Sequence, residues 1–282
     1  MWNSFEIDLA QAKISGKEKG SGEHVLICIH GYLQDKHLFD RVWDTVPENW
    51  VIVCIDMPLF GRSEWKKKNK PMHKKFLRKM WASFRQRYPD KELNLLGFSM
   101  GGKMAMNLVG MVKDSPARVI LISPDGISRN VLQNFAMFNP VGKQVLRGFL
   151  RFPAPIIYLS KFAYRLKVID RFTHDFMFGN FGSPKMRKAL RTYMFVYSGL
   201  KVPLKKLRKR TYEHQIQWQL IWGTQDGVIS PKGIQRFQKH IPEAKGDFIE
   251  TGHLVVDLKP KEVRMLLDQF LELPEKDTVS PK

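Results

Sequence analysis

Short apolar runs recur along the chain and alternate with amphipathic stretches. The runs cover residues 25–29, 51–55, 93–98, 118–122 and 217–222. Continuous apolar runs of this length are typical of strands buried on both faces, as in a parallel sheet covered by helices. Shorter strands are predicted at residues 5–9, 12–15 and 247–250, and helices at residues 38–46, 74–88, 100–112, 230–240 and 263–271. The alternation predicts an α/β fold.

The alternation stops after Gly126 and resumes near Tyr212. The stretch between them shows no clear strand pattern and contains helix-like, aromatic segments at residues 131–138, 145–152, 156–166 and 186–197. We therefore predict a core domain of residues 1–126 and 212–282, with a helical cap inserted at residues 127–211. Ligand sites in open α/β sheets lie at the carboxyl ends of the strands, and the cap is predicted to cover that rim.

The overall composition is that of an ordinary globular protein. The 282 residues are 43% hydrophobic and 26% charged. No apolar run approaches the roughly 18–20 residues that span a bilayer. The first residues, Met1 to Glu6, do not resemble a signal peptide, and Cys28 and Cys54 each lie inside an apolar run. These features predict a cytoplasmic protein with two reduced, buried thiols and no disulfide.

The charge is unusual in both amount and placement. The chain has 47 Lys and Arg against 27 Asp and Glu, a formal net charge of +20. Residues 127–212 hold 18 of the basic and two of the acidic residues, and so carry +16 of that charge. Three interpretations stay open: a solvated face, peripheral contact with an anionic inner membrane surface, or steering of an anionic substrate. Nucleic acid is not expected as a partner, because no binding motif accompanies the charge.

Residues with reactive side chains follow the predicted strands, all at the same end. They are His30, Asp56, Ser99, Asp125 and Asp226, with His253 after the last strand. Since the carboxyl ends of parallel strands meet at one edge of a sheet, these side chains are predicted to share one rim. His240 is a weaker candidate, because it ends a predicted helix and is typical of a cap or surface residue.

The segment Gly97-Phe98-Ser99-Met100-Gly101 lies between a predicted strand and a predicted helix. This is the context in which a serine sits on a sharp strand-to-helix turn with its hydroxyl exposed. Glycine is favoured on both sides of the serine, since Cβ atoms at Gly97 and Gly101 would clash as the strand and the helix close on each other. Ser99 is therefore the predicted nucleophile.

Five segments of the chain together resemble the α/β-hydrolase superfamily. They are His30-Gly31-Tyr32, Asp56 to Ser63, Gly97 to Gly101, Trp222 to Asp226, and Gly252-His253, in the order that the family has. The resemblance implies a mostly parallel, eight-stranded sheet with helices on both faces, and an esterase- or lipase-like activity that uses a serine nucleophile. It does not imply a substrate, since one fold carries many activities.

The resemblance also implies roles for three side chains. Ser99 would attack a carbonyl, and His253 would act first as general base and then as general acid. Asp226 would orient His253, with Asp125 as the alternative acid, because some members of the superfamily carry the acid after the preceding strand. An epoxide hydrolase or a haloalkane dehalogenase would carry aspartate at the position of Ser99, which disfavours both.

Backbone groups complete the implied site. The N–H groups of Tyr32 and Met100 would form the oxyanion hole, the donor pair that stabilises developing negative charge. His30 and Gly31 would hold the loop that carries Tyr32. The resemblance implies neither a metal nor an organic cofactor.

These expectations predict a serine hydrolase that cleaves a carboxylic ester or thioester of a small-molecule or lipid-like substrate. Two alternatives stay open. The first is a triad-based lyase similar to 2-succinyl-6-hydroxy-2,4-cyclohexadiene-1-carboxylate synthase, which the segment from His30 to Leu33 and a positive cleft would suit. The second is a non-catalytic, membrane-associated binding protein, which the basic cap would suit.

Overall fold

The computed structural model describes residues 1–67, 70–127, 139–169 and 171–272. These residues fall into two units. The larger unit comprises residues 1–67, 73–127 and 201–272, and the smaller unit comprises residues 70–72, 139–169 and 171–200. The helix predicted at residues 131–138 lies outside the described residues.

Nine strands of the described chain form one open sheet in the larger unit. They are β1 (Asn3–Leu9), β2 (Ala12–Gly20), β3 (His24–Ile29), β4 (Trp50–Ile55), β5 (Glu64–Trp65), β6 (Glu92–Phe98), β7 (Arg118–Ile122), β8 (Gln217–Gly223) and β9 (Lys245–Ile249). Their order is β1-β2-β4-β3-β6-β7-β8-β9, and β5 pairs with β2 beside this path. Pairing is parallel from β4 to β9, whereas β1, β2 and β5 pair antiparallel.

The predicted α/β class and the mostly parallel sheet are confirmed. The ninth strand is a correction to the expected eight. It is β5, a pair of residues that binds β2 through Lys13 and Ala12. A strand of two residues has no hydrophobic period of its own, so the sequence pattern could not reveal it.

Helices connect and flank these strands in both units. They are α1 (Lys74–Arg87), α2 (Met100–Val109), α3 (Pro140–Arg151), α4 (Ala154–Arg165), α5 (Arg171–Gly182), α6 (Pro184–Tyr197), α7 (Leu204–His214), α8 (Pro231–His240), α9 (Val255–Leu258) and α10 (Pro260–Leu271). The helices predicted at residues 74–88, 100–112, 230–240 and 263–271 correspond to α1, α2, α8 and α10, and are confirmed.

Side chains from both faces of the sheet are buried, as the continuous apolar runs predict. On one face, Leu26 and Cys28 of β3 share a cluster with Val263 and Leu267 of α10. The alternate residues of β3 are also buried. Helix α2 packs on β3, β6 and β7. The carboxyl ends of these parallel strands therefore meet at one rim, between layers of helix.

The helix predicted at residues 38–46 is wrong in type. The structure has a short 3-10 helix, Lys36–Phe39, followed by turns. Phe39, Val42 and Trp43 are buried, so the apolar spacing identified the inward side correctly. The backbone bonds of this segment mostly join residues three apart, such as Val42 N–H to Phe39 O (3.1 Å), and this apolar spacing suits such tight turns as well as an α-helix.

The smaller unit contains helices α3 to α6. Asn139 is the N-cap of α3, and its side chain accepts from two backbone N–H groups. Ser183 is the N-cap of α6, and its hydroxyl accepts from Met186 N–H. The helices predicted at residues 145–152, 156–166 and 186–197 fall on α3, α4 and α6. None of the helices in the described ranges combines the length and the hydropathy that a membrane span requires.

The boundaries of the two units differ from the predicted domains at more than one point. Residues 70–72, predicted in the core domain, belong to the smaller unit, and residue 127, predicted in the cap, belongs to the larger unit. The basic stretch at residues 201–210, placed in the cap by its sequence, belongs to the larger unit, where α7 packs on α2 and α8. The assignment of the smaller unit as a cap stays a prediction.

Candidate active site

Ser99 occupies a strained turn between β6 and α2. Its φ and ψ are 50° and −112°, a left-handed backbone that residues other than glycine seldom adopt. Backbone hydrogen bonds hold the turn: Ser99 N–H donates to Ile122 O of β7 (2.9 Å), and Ser99 O accepts from Asp125 N–H (2.8 Å). Strain of this kind persists only where the surrounding structure imposes it, and it is concentrated at functional sites.

The two glycines that flank Ser99 allow the backbone to close around it. A Cβ at Gly97 would lie 2.4 Å from the carbonyl oxygen of Gly101, and a Cβ at Gly101 would lie 2.0 Å from that of Ile29. Both distances are far shorter than a van der Waals contact. In each case the contacted atom belongs to the backbone, which has no room to move. A side chain at either position would therefore clash, as the sequence predicted.

The loops that follow β8 and β9 are held side by side. Gln225 N–H in the first loop donates to Thr251 O in the second (3.0 Å). A Cβ at Gly223 would lie 2.3 Å from the carbonyl oxygen of Gly252, so glycine is needed for the two backbones to approach this closely. As a result, the candidate acid of the first loop meets the candidate base of the second.

Ser99, His253 and Asp226 form one hydrogen-bonded chain. His253 Nε2 lies 3.0 Å from Ser99 Oγ, and His253 Nδ1 lies 2.9 Å from Asp226 Oδ2. The other carboxylate oxygen, Asp226 Oδ1, accepts from the backbone N–H groups of Val228 (2.8 Å) and Ile229 (2.9 Å). Because an ionised carboxylate only accepts, it fixes the proton of His253 on Nδ1 and leaves Nε2 free to accept from the serine hydroxyl.

Asp226 is held in its ionised form. Its carboxylate is buried, and burial alone would raise its pKa. The hydrogen bond and the charge interaction with His253, together with the backbone N–H of Ile229, outweigh the burial, so the pKa of Asp226 lies below its ordinary value. Asp226 therefore remains charged well into the acidic range.

The alternative acid, Asp125, and the weaker histidine candidate, His240, contact other residues. Asp125 Oδ2 lies 3.5 Å from Lys103 Nζ of α2, a buried cation. His240 ends α8, where its Nδ1 donates to Arg236 O (3.0 Å), as expected of a residue that caps the helix end. Among the candidate acids, it is Asp226 that meets His253.

His30 is buried and both of its ring nitrogens have backbone partners. Nε2 accepts from Met57 N–H (2.9 Å), so Nδ1 carries the proton and donates to Gly31 O (2.6 Å). This is the neutral imidazole, and burial lowers the pKa of His30 accordingly. The ring joins the loop after β3 to the loop after β4. Its role in supporting the site stays a prediction.

The loop that carries Tyr32 is braced by a side-chain link that sequence reasoning missed. Gln34 Oε1 accepts from Gly31 N–H (3.2 Å), and Gln34 Nε2 donates to Asp257 Oδ2 of α9 (2.8 Å). Gln34 and Asp257 are 223 positions apart, and neither belongs to a motif. Met100 opens α2, so its N–H has no acceptor within the helix.

A buried ion pair supports the same rim. Asp56 accepts from the side chain of Lys36 (2.7 Å) and from the N–H groups of Lys36 (2.7 Å) and Arg62 (2.8 Å). Burial alone would raise the pKa of Asp56, but these donors outweigh it and the net pKa is lowered. Gly61, at φ +53°, completes the loop, because a Cβ there would lie 2.2 Å from the Asp56 carboxyl group.

Replacing Lys36 by methionine is expected to lower the free energy of unfolding by about 3–5 kcal/mol at neutral pH, because Asp56 would stay buried without a cation. The loss should shrink as the pH falls. In the wild type, the stabilisation from the lowered pKa of Asp56 is present above the unfolded-state pKa and is lost as the pH falls through the folded-state pKa. In the variant, protonation of Asp56 removes the unpaired charge.

Urea unfolding at neutral and at acidic pH measures both effects. Lys259→Met removes an exposed ion pair with Glu262 and serves as the matched control, with little change expected. Two results would contradict the assignment of Lys36 and Asp56 as a stabilising buried ion pair. One is an equal loss of stability in the two variants, and the other is a Lys36→Met loss that grows in acid.

Within the described residues, no group of three or more His, Cys, Asp and Glu side chains is arranged to hold a metal ion. What the site can do chemically follows from the serine, histidine and aspartate.

Comparison with known proteins identifies the family of the chain. A model of the alpha/beta hydrolase fold family matches residues 24–260. The chain belongs to this family. The hydrolase YugF of Bacillus subtilis, itself uncharacterized, is 23% identical over 256 residues, which cover 89% of this chain and 91% of the relative. Human monoacylglycerol lipase ABHD6 is 22% identical over 269 residues, covering 87% of this chain and 74% of the lipase.

Solved structures of other proteins also match nearly the whole chain. The crystal structure of a membrane phospholipase A, described as a bacterial virulence factor, has a TM-score of 0.65 and 19% identity, and the match covers 96% of this chain and 86% of that one. At this identity the likeness shows the fold alone. The curated relatives, named as a hydrolase and a lipase, support an enzyme.

Proposed function

We propose that this α/β hydrolase is a serine hydrolase that cleaves a carboxylic ester or thioester. The observation that carries the proposal is the chain of contacts from Ser99 Oγ to His253 Nε2 (3.0 Å) and from His253 Nδ1 to Asp226 Oδ2 (2.9 Å). A serine hydroxyl is a weak nucleophile until a neighbouring base takes its proton, and this geometry provides the base and its orienting acid.

In the proposed reaction, Ser99 Oγ attacks the carbonyl carbon while His253 Nε2 takes the hydroxyl proton. The N–H groups of Tyr32 and Met100 stabilise the oxyanion that forms. His253 then protonates the leaving alcohol or thiol, which departs and leaves an acyl-enzyme on Ser99. Water attacks that ester with His253 again as base, and the acid is released. Asp226 stabilises the imidazolium in both halves of the reaction.

The residues of the chain provide every group that this reaction needs, so we propose no metal or organic cofactor for it. Serine at the turn also favours acyl transfer over the alternatives. A carbon–halogen or epoxide substrate is opened by a carboxylate nucleophile, which forms an ester that water can cleave, whereas a serine would form a stable ether. We propose a lipid-like ester as the substrate class, supported by the monoacylglycerol lipase relative.

A fluorophosphonate probe tests the reactive serine directly. We expect one label per chain, located on the peptide that contains Ser99, and about a 10³-fold slower labelling of His253→Gln, because the base is then absent. His240→Gln is the matched control and should label at the wild-type rate. The absence of labelling on Ser99, or equal rates for His253→Gln and wild type, would contradict the proposal.

A series of p-nitrophenyl esters from acetate to palmitate then tests the substrate class. We expect hydrolysis whose kcat/KM rises with acyl chain length, since each buried methylene contributes about 0.8 kcal/mol until the acyl site is filled. Activity confined to acetate would support an ester hydrolase but remove the lipid-like substrate. No hydrolysis of any ester, with Ser99 still reactive to the probe, would favour the lyase reaction.

A further inference from the structure

Helix α4 of the smaller unit turns an apolar face to solvent. Pro155, Tyr158, Leu159, Phe162 and Leu166 follow a spacing of three and four residues, so they lie on one side of the helix. The exposed fractions are 74% for Tyr158, 62% for Leu159, 51% for Phe162 and 57% for Leu166. We call these five residues the α4 surface.

Other residues of α4 are packed inside the smaller unit. Ser160 is buried and Ile156 and Ala163 are half-buried. A helix at the surface of a soluble protein normally turns its polar side to water and its apolar side to the core. In α4 the buried side includes a serine while the exposed side is tyrosine, leucine and phenylalanine, so the α4 surface lacks the polar cover of an ordinary exposed helix.

Cations border the α4 surface. Lys161, Arg165 and Lys167 are exposed on or just after α4, and Arg171 follows at the start of α5. The charge is one-sided over the whole stretch, because residues 139–200 contain eleven Lys and Arg against two Asp. An exposed apolar strip bordered by cations needs a partner with an apolar interior and an anionic surface.

Helix α3, which precedes α4, also exposes apolar side chains beside basic ones. Val141 and Val145 on α3, and Phe152 directly after it, are exposed at positions four and seven residues apart, with exposed fractions of 63%, 47% and 66%. Arg151 lies 5.5 Å from the ring of Phe152. The combination of apolar and basic side chains thus continues from α3 through α4 and is not confined to a single residue.

We infer that the α4 surface binds an anionic lipid membrane, lying in the interface with Leu159 and Phe162 among the acyl chains and Lys161 and Arg165 at the headgroups. A helix of this kind is held by the apolar area that it buries together with attraction to anionic lipid. A second copy of the chain is a poorer match, since the basic border would face another basic border. This inference goes beyond the proposed hydrolase function and does not depend on it.

Vesicle co-sedimentation of the full chain tests the inference. We expect binding to vesicles that contain phosphatidylglycerol, with weak binding to vesicles of phosphatidylcholine alone. The double variant Leu159→Gln, Phe162→Gln should lower the partition coefficient about tenfold or more, because two interfacial apolar side chains are lost. The matched control is Phe248→Gln, Met265→Gln in the larger unit, whose side chains are 68% and 55% exposed and should change binding little.

A second pair of variants separates local charge from net charge. Lys161→Gln, Arg165→Gln should weaken binding to anionic vesicles about 25-fold, since each cation near an anionic surface contributes about a fivefold factor. Lys205→Gln, Lys206→Gln removes the same charge from exposed positions of α7 and should have a much smaller effect. Circular dichroism and the unfolding midpoint check that all four variants are folded.

Three results would overturn the inference. The first is an absence of binding to anionic vesicles by the wild-type chain. The second is equal weakening by the α4 variants and their controls, which would show a general effect of net charge or hydrophobicity. The third is wild-type dimerisation in sedimentation velocity that Leu159→Gln, Phe162→Gln abolishes while vesicle binding stays unchanged, which would make the α4 surface a contact between copies.

Discussion

Ser99→Ala is expected to lower kcat for ester hydrolysis by about 10⁶-fold, the size of the loss when the nucleophile of a serine–histidine–aspartate site is removed. In the proposed reaction, the Ser99 hydroxyl forms the covalent bond to the acyl group in the first step, so no neighbouring group is expected to replace it. KM should change little, because Ser99 Oγ contributes little to the binding of the substrate in its ground state. The residual rate should be that of the oxyanion donors and substrate positioning alone.

Single-turnover and steady-state kinetics on the best p-nitrophenyl ester measure this effect. Ser83→Ala changes a half-buried serine of α1, whose hydroxyl donates to Lys79 O; it is the matched control and should retain full activity. Both variants should unfold at the wild-type urea midpoint, since a methyl group occupies the turn at residue 99 as readily as a hydroxymethyl group. A Ser99→Ala enzyme that retains a tenth of its activity would show that another residue performs the chemistry.

The second large effect is expected for Asp226→Asn, with a loss of about 10⁴-fold in kcat. The amide oxygen can still accept from the N–H groups of Val228 and Ile229, so the amide nitrogen is turned toward His253. An N–H donor at that position forces the proton of His253 onto Nε2, and the ring then cannot accept from Ser99. In this variant the side chains keep their positions, but His253 is in the wrong tautomer.

Asp125→Asn is the matched control, because it makes the same change in the acid that sequence reasoning kept as the alternative. Its contact is Lys103, at 3.5 Å, and its expected loss is less than about tenfold. The measurement is the ratio of the two kcat values on one substrate. If Asp125→Asn gives the larger loss, the assignment of the acid is reversed.

The local features of the site could be predicted from the sequence. The turn at Ser99 requires a strand, a helix and two glycines within a few residues, and each has a pattern of its own. The α/β order and most helices were also predictable, since hydrophobic periods of two and 3.6 are local properties. The exceptions were the two-residue strand β5, the helices α5, α7 and α9, for which no helix was predicted, and the segment after Lys36. In that segment, apolar spacing did not distinguish a 3-10 turn from an α-helix.

The charge of the chain shows the limit of composition. Counting residues located most of the net charge in one stretch but left open what it does. The structure divides that stretch, because residues 201–210 belong to the larger unit while α4 belongs to the smaller. It also shows that α4 exposes an apolar surface. This depends on which side of the helix is packed, and a count of residue types cannot reveal it.

By itself, the sequence determined the class of fold, the strained turn at Ser99, and the order in which the serine, the acids and the histidine follow their strands. Only the tertiary structure decided which acid meets His253, because Asp125 and Asp226 both follow a strand and differ in what lies beside them. That choice depends on two loops held together by Gln225, Gly223 and their partners after β9. Periodicity and turn chemistry act over a few residues, whereas contacts between residues 27 and 154 positions apart form only when the sheet has assembled.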